Sequence, residues 1–194
     1  MKLIDLRRYG PVHRFGDHHI YRALRALSNG RRRGRKSLAD SVGLGEGSMR
    51  TILEYLRDKE FVEVKQTGVR ITPYGQGFLK ELPIRMERVD LPGLSLGERS
   101  VAVKVKASAD YVFSGVKQRD EAIKAGADGA TTVMVVGGRL IMPPSYDLDD
   151  EQPEDASILR EIFDLDEGDV IIIGTAREWE GAENGALAAA LDLL

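Results

Sequence analysis

The 194-residue chain contains no cysteine. Disulfides, cysteine-ligated zinc and thiol catalysis are therefore excluded. Histidine is scarce: only His13, His18 and His19 occur, and no two of them stand four residues apart. No metal site is expected there, and the three read as capping or surface residues. No apolar run approaches the roughly 20 residues of a membrane helix. The opening Met-Lys-Leu-Ile-Asp-Leu-Arg-Arg lacks the apolar core of a signal peptide, so a cytoplasmic protein is expected. A phosphate-binding G-x-x-x-x-G-K-[ST] loop, a dinucleotide fingerprint and a catalytic constellation are all missing, so the sequence predicts neither catalytic residues nor a cofactor.

What is present is a folded chain with divided charge. Hydrophobic residues make up 42% and the net charge is −3, which excludes disorder throughout. That small net charge hides two opposite halves. Residues 1–82 hold 17 Lys/Arg against 9 Asp/Glu, a net +8, whereas residues 83–194 hold 11 against 22, a net −11. Two modules with different partners follow, the basic one facing an anion or nucleic acid.

The basic half has helical, then alternating, periodicity. Ile20, Ala23, Leu24 and Leu27 after Asp17 predict a helix over 17–28, ended by Asn29-Gly30. Five basic residues follow in six: Arg31, Arg32, Arg33, Arg35 and Lys36. Ser37 precedes a short second helix stopped by Gly43, and Leu44-Gly45-Glu46-Gly47 reads as a tight turn. Ser48 is expected to cap a third helix whose stripe is Met49, Ile52, Leu53 and Leu56. Residues 61–65 and 69–72 alternate about Gln66-Thr67-Gly68, a β-hairpin, and Pro73 opens a last helix to Leu82.

The stretch SLADSVGLGEGSMRTILEYLRDKEFVEVKQTGVRITPYGQGFLKEL resembles the winged helix-turn-helix domain of bacterial and archaeal transcription regulators. That resemblance covers about residues 15–82. It implies a turn at Gly43 and a third helix that enters the major groove. From the residues themselves, the arginine run suits phosphates, which reward each neutralised charge by counterion release. Glu46, Ser48, Arg50 and Thr51 on the first turns of the third helix are placed for base edges. Lys65, Thr67 and Arg70 on the wing would meet backbone or minor groove.

In the acidic half, residues 83–99 hold Pro83, Pro92, Gly93 and Gly97 and read as a linker. Strands are expected at 101–105, 131–136, 139–142 and 170–173, with helices at 116–125, 158–163 and 187–194. The fold class is thus α+β: a winged helix over 1–82, then a ferredoxin-like βαββαβ plus helix over 100–194. The whole arrangement is similar to archaeal one-component regulators with a second domain of uncharacterised function, which implies DNA-binding regulation; a small-molecule-sensing role is expected of the second domain.

A small anionic or polar metabolite is expected near Ser114, Gln118, Arg119, Thr131 and Thr132, where a helix start adjoins a small-residue loop over 126–132. Arg177 and Trp179, after the last strand, are the second choice. The acidic run 147–155 is expected to be a solvated loop. Double-stranded DNA is the expected macromolecular partner. A homodimer is expected through strand edges and the terminal Leu187, Leu191 and Leu194. The alternatives are a winged-helix-fused metabolic enzyme, such as a small-molecule kinase, or a protein-interaction module. Archaeal riboflavin kinases carry a similar N-terminal domain, but their small β-barrel fits the helices predicted after residue 115 poorly.

Overall fold

The computed structural model describes residues 15–94 and 97–194, which divide into two compact units between Leu82 and Pro83. In the first unit, α1 (Asp17–Ala26), α2 (Arg35–Val42) and α3 (Glu46–Asp58) precede the hairpin of β1 (Val62–Lys65) and β2 (Gly68–Ile71), and α4 (Pro73–Glu81) closes it. Ile20, Leu24, Leu27, Leu38, Val42, Met49, Ile52 and Leu56 fuse the three first helices into one core. Gly43 ends α2 in the left-handed conformation at φ 76°, which a side chain resists. Thr72 caps α4, its Oγ1 accepting from the Gly75 amide at 3.0 Å.

The first helix starts at Asp17 as expected, after Gly16, but two starts differ from the sequence reading: α2 begins at Arg35 after Gly34, and α3 begins at Glu46 after Gly45. In each case a glycine with extended backbone takes the cap position. Ser37 and Ser48 fall within the first turn instead.

The second unit is a six-stranded antiparallel sheet with helices on both faces. Its elements are β3 (Ile84–Val89), β4 (Arg99–Val105), α5 (Val116–Lys124), β5 (Gly129–Val136), β6 (Arg139–Met142), β7 (Tyr146–Asp147), α6 (Leu148–Glu151), α7 (Pro153–Ile162), β8 (Val170–Ala176) and α8 (Trp179–Leu191). Ile171 and Ile173 join Ala102, Val133 and Val135 in a core with Leu159 and Phe163 on and just after α7. The alternate positions of β8 face α8, where a Cβ on Gly174 would stand 2.7 Å from the Ala182 carbonyl and the Ala186 amide. Gly174 therefore lets helix and strand approach more closely than any side chain permits.

The α+β class holds, and from β4 onward the expected β-α-β-β-α-β-α succession is found with two short additions, β7 and α6, between β6 and α7. The strand order is β3-β4-β8-β5-β6-β7. The parallel pair β4 and β5 is split by the last strand, β8, whereas in a ferredoxin-like sheet the third strand splits it. The ferredoxin-like detail is corrected accordingly. Its physical reason is that β8 is buried along its whole length and takes a neighbour on each side, whereas β6, which begins at exposed Arg139, stands further towards the edge.

Three further expectations are corrected. The 83–99 linker contains β3, which pairs with β4 from Ile84↔Val105 to Val89↔Ser100. The acidic run is not a loop: it spans the end of β7, α6 and the start of α7. Two arginines order it, Arg139 pairing with Asp147 and Asp150, and Arg160 with Asp149. The terminal helix begins at Trp179, and Leu187 and Leu191 are buried within their own unit, so they offer no surface to a second copy.

Candidate nucleic-acid interface

Two helix starts meet at one cleft of about 510 Å³, lined by Gly34, Arg35, Lys36, Glu46, Gly47 and Arg50. Gly34 and Gly45 cap α2 and α3 without any side-chain acceptor, so the first amides of both helices keep their donors for another partner. Each helix start carries partial positive charge, and exposed Arg35, Lys36 and Arg50 add three full charges. The arrangement favours an anion with several oxygens. Glu46 is the one carboxylate on the cleft wall, positioned to accept from a donor at a base edge. Ser48 and Thr51 are half-buried, and Thr51 Oγ1 donates to the Gly47 carbonyl at 3.4 Å.

The arginine run separates into two groups. Arg33 exchanges backbone hydrogen bonds with Val69, both 2.9 Å, and so adds a short third strand to the wing. Its guanidinium donates to the Ala26 carbonyl at 3.3 Å and to Ser37 Oγ at 3.2 Å. Arg32 donates to the Gly68 carbonyl at 3.1 Å and pairs with Glu63. Lys65, 2.6 Å from Glu63, and Arg32 together hold that carboxyl below its ordinary range. Arg32 and Arg33 therefore brace the wing against the helices. Arg31, Arg35 and Lys36 remain exposed, as do Lys65, Thr67 and Arg70 on the hairpin.

Sequence reasoning missed Gly34 and Gly47 in the cleft. For Gly34 the signal was there, since a glycine directly before a basic helix start marks amides free to bind. His18 and His19 lie on α1 with rings 4.0 Å apart. Burial, then neighbouring charge, lowers His18 to about 3 and His19 to about 4. Neutral His19 accepts at Nδ1 from the Gly16 amide at 3.1 Å, a capping role. His13 lies outside the described residues. Among the described residues no cluster of metal-ligating side chains occurs.

The profile described as the CggR N-terminal DNA binding domain matches residues 18–86. The profile described as Domain of unknown function (DUF4443) matches residues 96–193, half of the chain. The chain belongs to the DUF4443 family. Its first unit is a winged helix of the CggR DNA-binding type, with homology to transcriptional regulators. The central glycolytic genes regulator of Bacillus subtilis (strain 168) is 28% identical over 91 residues, 47% of this chain and 26% of that protein. Its counterpart in Priestia megaterium (strain DSM 319 / IMG 1521) is 29% identical over 108 residues, 56% of this chain and 31% of that protein. The DUF4443 chain thus matches under a third of those relatives' length. A hypothetical protein from Pyrococcus horikoshii OT3 is similar across both units, with TM-score 0.68 and 28% identity, covering 90% of this chain and 91% of the other.

The DUF4443 unit does not bring its five expected ligand residues together. In the β5–β8 register Thr131 stands opposite Ile173 and Thr132 opposite Ile172, so the two threonines lie on opposite faces of the sheet. Thr132 and Gln118 are buried, Thr132 beneath Gly115 at the start of α5. Arg119 is exposed and pairs with its neighbour Asp120 at 3.0 Å. The 126–132 loop is approached by α8 through a glycine of that helix: a Cβ on Gly181 would lie 2.5 Å from the Gly126 carbonyl. Trp179 is half-buried with Arg88 4.2 Å and Arg99 5.3 Å from its ring centre, a packing arrangement. Arg177 is exposed, and its amide is held by Asp128 at 2.9 Å. No helix among the described residues is long and apolar enough to cross a membrane.

Proposed function

We propose that this DUF4443 protein is a transcriptional regulator that binds double-stranded DNA through its first unit and works in the cytoplasm. The observation that carries the reading is the cleft where α2 and α3 begin, with Arg35, Lys36 and Arg50 around uncapped amides. A backbone phosphate satisfies both the amides and the cations, while Glu46, Ser48, Arg50 and Thr51 on the start of α3 reach base edges. Arg31 and the wing residues Lys65, Thr67 and Arg70 extend the same basic surface. Arg32 and Arg33 act by positioning the wing. The match to a CggR-type DNA-binding domain supports the same reading.

Two copies acting together fit this function, because one recognition helix reads only a few base pairs. The second unit would then serve association and sensing. A small polar or anionic metabolite would meet Ser114 and the first amides of α5, near Gln118 and Thr132, since Arg119 is paired elsewhere and Thr131 lies across the sheet.

Fluorescence anisotropy of the full chain on random-sequence duplex, titrated across salt, tests DNA binding. Affinity should fall steeply, with a log–log slope of about −0.9 per phosphate neutralised. Absence of duplex binding at low salt would overturn the reading.

A further inference from the structure

The loop before α5 and the outer face of that helix expose large apolar side chains. Phe113 is 90% exposed, Tyr111 66%, Ile123 47% and Val116 46%. Val112 between the two aromatics is buried, so the loop is anchored while its neighbours face outward. On α5 the inward face is Gln118 and Ala122. Val116 and Ile123, seven residues apart, fall within about 20° of one another on the opposite face. Arg119 and Asp120 stand on the two shoulders of that apolar stripe.

Charge distinguishes this patch from its surroundings. Residues 109–124 hold Lys117, Arg119 and Lys124 against Asp110, Asp120 and Glu121, a net charge of zero in a half whose net charge is −11. All three cations are already paired within the chain, with Asp192, Asp120 and Glu121 respectively. A strongly charged partner gains nothing at such a surface. A second copy of the acidic unit, repelled elsewhere, can approach here.

We propose that two copies of this chain associate through residues 111–123, their α5 helices side by side and parallel about a twofold axis. This deepens the two-copy part of the functional reading by giving it a surface. In that register Val116 meets its own copy, as does Ile123, and the shoulders exchange partners: Arg119 of each chain faces Asp120 of the other. Phe113 and Tyr111 cover the end of the pair. Other surfaces fit less well. The edge strand β3 carries exposed Arg85 and Arg88, which discourage sheet-to-sheet pairing, and the leucines of α8 are buried. The four side chains expose on the order of 400 Å², about half of one partner's share in a standard interface. The dimer is therefore concentration-dependent, with a dissociation constant on the order of micromolar.

Sedimentation equilibrium of the full chain without DNA tests this. The unchanged chain should dimerise at about 100 μM, and Phe113→Ser and Val116→Ser should each weaken association by roughly tenfold or more. Both residues are solvent-exposed, and unchanged circular dichroism will show that the fold is intact. Because the chain has no cysteine, Ile123→Cys supplies a single thiol, and mild oxidation should cross-link the pair through it. A monomer at that concentration overturns the proposal. So does a dimer indifferent to both serine variants, or one in which Ile123→Cys fails to cross-link. Failure of DNA binding would leave these outcomes untouched, since none of them involves DNA.

Discussion

The two units use their charges in opposite ways. In the first, Arg35, Lys36, Arg50 and Arg70 are exposed and form no ion pair among the described residues. In the second, Arg85, Arg88, Lys104, Lys117, Arg119, Lys124, Arg139 and Arg160 all pair with acids of their own unit. The lesson is that a high charge count does not locate a binding surface. Unspent charge does, and here it gathers at the starts of α2 and α3. Counting alone gave the arginine run five equivalent cations, whereas Arg32 and Arg33 are consumed in holding the wing.

This contrast predicts that charge removal costs stability in one unit and binding in the other. The largest effect should come from Asp169→Ala. Asp169 and Lys104 are buried and 3.1 Å apart, and Asp169 also accepts from the Ala107 and Asp166 amides. Leaving Lys104 unpaired in that interior should cost about 3–5 kcal/mol, measured by urea unfolding of the second unit's transition. A loss near zero would mean that the pair is solvated and that the contrast is overstated.

Next in size is the triple change of Arg35, Lys36 and Arg50 to Ala. It should weaken duplex binding roughly tenfold or more and flatten the salt slope by about 0.9 per lost phosphate contact, with the unfolding midpoint nearly unchanged. Singly, Arg50→Ala should reduce discrimination between sequences by about 1–3 kcal/mol. Arg32→Ala should weaken all sequences alike and also lower the thermal midpoint, because it loosens the wing. Competition anisotropy alongside melting curves separates these two. Equal behaviour of Arg32 and Arg50 would erase the distinction between bracing and contacting arginines.

The last effect concerns pH. His18 and His19 titrate in the fold at about 3 and about 4, below the ordinary 6.5. The unfolded chain therefore binds their protons first as pH falls. Stability from the neutral pair is complete above pH 6.5 and declines from there towards pH 4, most steeply in the first unit. Replacing both with Gln should flatten this dependence in denaturant midpoints between pH 7 and pH 5.

By itself the sequence determined the winged helix. Its helix signals are local: Ile20 and Leu24, Leu38 and Val42, and Met49, Ile52 and Leu56 recur at helical spacing within their own helices, and a period-two stretch about Gly68 reads as a hairpin. It determined the charge division too, which depends on composition alone. The tertiary structure decided what those signals serve. Glycines at 34 and 45 outcompeted Ser37 and Ser48 as caps because each helix gained a first turn. The acidic stretch became helical because Arg139 and Arg160, which flank it on the preceding strand and the following helix, neutralise it. Thr131 and Thr132 look adjacent along the chain, yet the pleat sends them to opposite faces. The place of β8 between β4 and β5 rests on pairings about forty to seventy residues apart, and no local pattern encodes a partner at that distance.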